Sequence, residues 1–165
     1  MKKAKCVARL FIVSCVLVSV VVQAQDLQPV RWQFSAVPVN DHKARLMFTA
    51  SMDDGWHIYS QFLEEGGPLP TTFTFQPGDN FSLQGKVVEE STPFKTYDET
   101  FMMPIAWFDK TAVFSQEVKV RSAAAIIKGK IEFMVCNGEL CLPPEEIPFS
   151  VEVKTVGTGK NSKGE

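Results

Sequence analysis

Cys136 and Cys141 stand with four residues between them in the stretch EFMVCNGELCLPPEE, residues 132–146, and the only other cysteines, Cys6 and Cys15, fall within the first fifteen residues. A close cysteine pair can act in three ways: as a structural bridge, as part of a metal site, or as a dithiol exchanging electrons with another thiol pair. A zinc site needs about four ligands at recognisable spacing. Only His42 and His57 are available, and neither is spaced with the cysteines in that way, so no metal or other cofactor is expected. No Gly-x-Ser-x-Gly motif marks a serine nucleophile.

Geometry limits the remaining choices. Fully extended, five residue steps span roughly 17 Å, whereas a disulfide needs Cα atoms about 4.4–6.8 Å apart. The chain must therefore reverse between the cysteines, and Asn137-Gly138 supplies turn chemistry for that. Pairing residues 130–136 with the residues after 141 makes the cysteines neighbours across a hairpin, and a bond is then sterically possible. So small a loop would contribute only about 2 kcal/mol to stability. A redox-active pair and a passive bridge both remain open on these facts.

The elements that must position the pair read as strands. Apolar residues recur at every second position in Trp32, Phe34, Ala36; in Leu46, Phe48, Ala50; in Phe73, Phe75; in Phe81, Leu83; in Met103, Ile105, Trp107; and in Ile147, Phe149, Val151, Val153. Period two marks half-buried strands. Ile131, Phe133 and Val135 continue the pattern, which turns Cys136 to the opposite face with Lys130, Glu132 and Met134. A partly exposed thiol is expected there. Turn signals separate the runs at residues 40–41, 53–55, 66–68, 77–80 and 137–138. Residues 122–127 come closest to a helical period and are too few to form a helix. Seven to nine short strands predict an all-β fold, an immunoglobulin-like β-sandwich ahead of a barrel.

The amino terminus sets the compartment. Lys2, Lys3, Lys5 and Arg9 precede an apolar run over residues 10–22, and Val22-Gln23-Ala24 ends it with a small residue. That is the layout of a secretory signal peptide over residues 1–24, cleaved near Ala24. The run falls short of the ~20 residues a membrane span needs, so no stable membrane insertion is expected. Cleavage leaves 13 Lys and Arg against 19 Asp and Glu, an acidic balance unsuited to nucleic acid. The mature domain, residues 25–155, is large enough to fold without a disulfide and is expected in the periplasm or another exported, oxidising space. Residues 156–165 are polar and glycine-rich, a composition that predicts a disordered tail.

Three stretches together carry a resemblance: Asp54-Gly55-Trp56-His57-Ile58-Tyr59-Ser60, Gly67-Pro68-Leu69-Pro70-Thr71, and Val135-Cys136-Asn137-Gly138-Glu139-Leu140-Cys141-Leu142-Pro143-Pro144-Glu145. They resemble the amino-terminal periplasmic domain of the DsbD family of thiol:disulfide interchange proteins, over roughly residues 28–153. The resemblance implies an immunoglobulin-like sandwich with a redox-active cysteine pair on adjacent strands. It implies that Cys141 forms the mixed disulfide with a partner and that Cys136 resolves it. Electrons would arrive from a thioredoxin-like protein or domain, met in trans, and leave to disulfide isomerase-type or other thioredoxin-like proteins. It implies a cap loop over the pair, assigned by position to residues 89–94 with Pro93 and Phe94 at its tip, ahead of a strand expected over residues 97–104. His57 and Tyr59 would support the site from the strand they share. Glu89, Glu90, Glu139, Glu145 and Glu146 are expected to surround the pair with negative charge and disfavour a thiolate. The competing expectation is a non-catalytic immunoglobulin-like interaction module whose bridge pins a hairpin.

Overall fold

A computed structural model describes residues 27–122 and 124–154; the leader expected at residues 1–24, with Cys6 and Cys15, and the tail expected at 156–165 lie outside the described residues. Eleven strands follow in order: β1 (Val30–Asn40), β2 (Lys43–Met52), β3 (His57–Tyr59), β4 (Thr72–Phe75), β5 (Phe81–Glu89), β6 (Phe94–Asp98), β7 (Met103–Asp109), β8 (Thr111–Val120), β9 (Ala124–Phe133), β10 (Val135–Cys136) and β11 (Glu145–Lys154). No helix occurs among the described residues. None of them forms a helix long and apolar enough to cross a membrane.

The strands form antiparallel sheets in the orders β1-β2-β8-β5, β10-β3-β7-β6 and β11-β9-β4. The first sheet covers the other two, which makes the immunoglobulin-like β-sandwich that strand alternation predicts. Its centre is aromatic. Phe48 of β2 meets Phe73 of β4 and Phe149 of β11, each with ring centroids 5.0 Å apart. Phe114 of β8 meets Phe108 of β7 at 5.5 Å. Such pairs bury large apolar area and favour the tilted and edge-on geometries seen here.

One local expectation is corrected. Residues 97–104 do not form one strand. They hold the turn between β6 and β7, where Asp98 Oδ1 accepts hydrogen bonds from the backbone N–H groups of Thr100 (2.8 Å) and Phe101 (3.0 Å). Residues 124–127 begin β9, in which Ala125, Ile127, Ile131 and Phe133 are buried at alternate positions. The strand count exceeds seven to nine because of this split and because β3 and β10 are only three and two residues long.

One crossing positions the cysteines. The chain leaves the third sheet at Phe133 and joins the second at Val135, where Val135 pairs with Ile58 and Ile58 with Phe108. Those three side chains belong to the main core. Cys136, one residue on, must point the other way.

Candidate redox site

Cys136 and Cys141 are joined by a disulfide, their Cα atoms 4.0 Å apart. The turn between them is held by Asn137. Its Oδ1 accepts from the backbone N–H groups of Glu139 (2.8 Å) and Leu140 (2.7 Å), and its own N–H donates to the Leu140 carbonyl at 2.8 Å. The Leu142 N–H donates to the Val135 carbonyl at 2.9 Å and closes the hairpin outside the bond. An asparagine at the first position of a turn does this through its side chain. Gly138 contributes less than its place beside Asn137 suggests, because positive φ occurs among the described glycines only at Gly55, Gly66 and Gly85.

The two sulfurs have different surroundings. Cys141 is exposed, whereas Cys136 is only 1% exposed. Alternation therefore places Cys136 on the face away from the main core, but the partial exposure expected there does not occur. A second, smaller cluster covers that face: Tyr59, Ile105 and Cys136, closed by Leu63, Met103, Trp107 and Met134.

Strand register puts the supporting residues in two rows. Cys136 pairs with His57, which pairs with Asp109. Tyr59 pairs with Trp107, which pairs with Phe94. Directly paired residues share a face, so His57 and Tyr59 lie beside Cys136. The rings run together: Phe94 stacks on Trp107 with centroids 5.0 Å apart, Trp107 lies 4.8 Å from His57, and His57 lies 5.2 Å from Tyr59. His57 Nε2 is 3.3 Å from Tyr59 Oη.

Phe94 is 56% exposed and is not a core residue. Strands β7 and β3 lie between it and β10, so it connects with Cys136 through the Trp107 and His57 rings. The base of the 89–94 loop is fixed. Glu89 Oε1 accepts from Ser60 Oγ (2.8 Å) and Gln61 N–H (2.7 Å), while the Val113 N–H donates to Ser91 Oγ at 3.0 Å. Half-buried Pro93 lines a cleft with Ser60, Phe62, Thr92 and Lys95.

Three of the five glutamates expected around the pair have hydrogen-bonding or ion-pair partners. Glu89 is held by Ser60 and Gln61, Glu90 receives a hydrogen bond from Ser115, and Glu146 pairs with Lys130. The acids acting on the aromatic rows are Asp109 and Asp98, which no sequence motif singles out. Burial lowers the His57 pKa below its usual 6.5, against the opposing charges of Asp109 and Asp98. Burial, and then Asp98, push the Tyr59 hydroxyl up. Trp107, Ile105 and Asp109 likewise escape sequence reasoning as site residues. Alternation along β7 places all three on one face, but nothing local shows that β7 lies beside β3.

The lowered His57 pKa has a consequence for stability. Below pH 6.5 the unfolded chain binds a proton at His57 that the folded chain resists, so this contribution is full above 6.5 and is lost as pH falls towards the folded pKa. Urea midpoints are expected to fall between neutral and mildly acidic pH, and a His57→Gln variant should show a flatter fall over the same window.

A β-sandwich presenting a local disulfide, with one cysteine buried and the other exposed, has the layout of a thiol–disulfide exchange domain. The profile of the N-terminal domain of the thiol:disulfide interchange protein DsbD matches residues 23–152, and the chain belongs to that family. Among solved structures it is similar to the DsbD N-terminal domain of Neisseria meningitidis in the reduced form, with 16% identity, a TM-score of 0.49, and coverage of 74% of this chain and 86% of that one. It is also similar to the complex between the DsbD N-terminal and PilB N-terminal domains of that organism, with 17% identity, a TM-score of 0.48, and 77% and 88% coverage. For the N-terminal periplasmic domain of ScsB from Proteus mirabilis the values are 17% identity, a TM-score of 0.47, and 76% and 45% coverage. No curated protein sequence matches the chain.

Proposed function

We propose that this chain is a protein-disulfide reductase of the electron-relay kind, passing two electrons through Cys136 and Cys141. The observation that carries this reading is the asymmetry of the pair, with Cys141 open to a partner and Cys136 1% exposed. The Cys141 thiolate attacks a partner disulfide, one partner sulfur leaves, and Cys136 then displaces the other while the domain disulfide re-forms. A thioredoxin-like protein or domain re-reduces the pair by the reverse path. Disulfide isomerase-type and other thioredoxin-like proteins receive the electrons. The leader-like start at residues 1–24 supports export, and an oxidising compartment such as the periplasm is where such exchange operates. The steps use sulfur chemistry alone and draw on no organic cofactor or metal.

Phe94, with Pro93 at its flank, acts as a cover that steadies Trp107 and the rings beyond it until a partner displaces it. Phe94→Ala is expected to raise the rate at which small thiols open the disulfide several-fold, with little change in stability. Stopped reduction by dithiothreitol, followed by alkylation of the freed thiols, measures this.

The alternative, a bridge that only pins the hairpin, predicts a different potential. Four backbone and side-chain hydrogen bonds already close the 136–142 turn, which leaves little for a staple to add. The mature chain equilibrated in graded glutathione buffers should become reduced within the range of cellular exchange proteins. A disulfide that stays oxidised below about −300 mV behaves as structural and would sink the reading.

A further inference from the structure

We propose that His57 accepts the Cys136 proton when the mixed disulfide at Cys141 is resolved, which makes it the base for the second half of the exchange; this rests on the exchange reading above. Cys136 on β10 pairs with His57 on β3, and His57 pairs with Asp109 on β7. Paired residues of antiparallel strands project from one face with Cβ atoms about 4.5–5.5 Å apart. Thiol, imidazole and carboxylate therefore form one row, with the imidazole in the middle.

The resolving sulfur needs such a partner. Cys136 is buried under Tyr59 and Ile105. Burial disfavours its thiolate and keeps away the water that would otherwise take the proton. The titratable groups around the His57 ring are Cys136 from β10, Tyr59 from its own strand, Asp109 from β7 and Asp98 from β6. Tyr59 holds its proton more tightly than usual because burial and Asp98 both oppose its ionisation. Asp109 lies on the far side of His57 from the cysteine in the ladder, and Asp98 pairs with Met103 at the far end of β7. His57 is left. Burial holds its pKa low, so near pH 7 the ring is neutral and carries a lone pair. In the tautomer whose Nε2–H donates to Tyr59 Oη, 3.3 Å away, that lone pair sits on Nδ1, and this is the tautomer the proposal requires. Asp109 then stabilises the imidazolium that proton transfer creates.

The step balances. The Cys136 S–H bond breaks, its proton goes to the imidazole, and its electron pair forms the bond to Cys141 Sγ. The bond between Cys141 and the partner breaks, and the partner sulfur leaves as a thiolate with that electron pair. The imidazolium then returns its proton to the leaving thiolate or to water. The partner disulfide is the oxidant.

The test uses the reduced mature chain and the aromatic disulfide dithiobis(nitrobenzoate), whose coloured thiolate is released once when Cys141 attacks and again when Cys136 resolves the adduct. In the wild type the second release should slow as pH falls below 6.5, with an inflection at the His57 pKa. His57→Gln should leave the first release unchanged, slow the second by roughly tenfold to a hundredfold, at or below the low end of general-base contributions, and remove the inflection. Asp109→Asn withdraws the charge that favours imidazolium and should move the inflection to lower pH. A His57→Gln variant with an unaltered second release, or with both releases slowed alike, overturns the proposal and leaves the exchange reading standing. An inflection that stays in place in Asp109→Asn also overturns it. A wild-type chain that stops at a stable adduct on Cys141, with Cys136 left as a free thiol and no second release, overturns the exchange reading itself.

Discussion

Cys141→Ser is expected to abolish disulfide exchange while costing the fold only about 2 kcal/mol, the contribution of so short a disulfide loop. Cys141 is the exposed cysteine of the pair, and Cys136 lies beneath Tyr59, Ile105 and their neighbours, out of reach of a partner sulfur. The remaining thiol therefore cannot substitute for the missing one. The turn should survive, because Asn137 and the bond from Leu142 to Val135 hold it independently of the sulfurs. Two readouts separate these effects: reduction of a thioredoxin-fold disulfide, which should fall to background, and the urea unfolding curve, which should shift modestly with its slope unchanged. Retained exchange in this variant would mean that Cys136 reaches partners directly, which contradicts the burial on which the assignment of roles rests.

The second large effect lies in the core. Phe48 is fully buried and touches the rings of Phe34, Phe73, Phe75 and Phe149, so it joins β1, β2, β4 and β11 across the sandwich. Phe48→Ala leaves a cavity among rings whose backbones are fixed by ladders and cannot collapse into it. The expected loss is about 3–5 kcal/mol, a large share of the roughly 5–15 kcal/mol typical of a whole domain. The same change at Phe94, exposed and stacked on one ring, should cost about 1 kcal/mol or less. The pair of variants separates two aromatic roles. Phe48→Ala should lower the urea midpoint steeply and affect exchange only through unfolding. Phe94→Ala should leave the midpoint nearly in place and change the rate at the disulfide.

Legibility followed the length of the period. The alternation in β2 and β11 runs through ten residues each with one face on the core, so class and facing could be read directly. Strands β3 and β10 are too short to show a period, yet they carry His57, Tyr59 and Cys136. The β6–β7 turn was hidden for another reason. It lacks glycine and proline and places Met102 at φ +54°, a conformation its side chain disfavours, so no turn signal marked it. The facing of Cys136 was legible, but its burial was not. The cover consists of Leu63, Tyr59, Ile105 and Trp107, brought over it by pairings between segments distant in sequence. The resemblance around Cys136 and Cys141 marked the residues proposed to exchange electrons. The row from Cys136 through His57 to Asp109 became visible only with the register in place.

The central claim, exchange through Cys141 with Cys136 as the buried partner, is tested most directly by covalent capture. The oxidised mature chain is mixed with a thioredoxin-fold protein that retains only its exposed cysteine, and the product is mapped by mass spectrometry after blocking free thiols. The incoming thiolate should attack Cys141 Sγ, expel Cys136 as the leaving sulfur, and give a one-to-one adduct joined through Cys141, with Cys136 recovered as a blocked free thiol. No adduct under conditions that leave the partner thiol reactive, or an adduct joined through Cys136, would contradict the account.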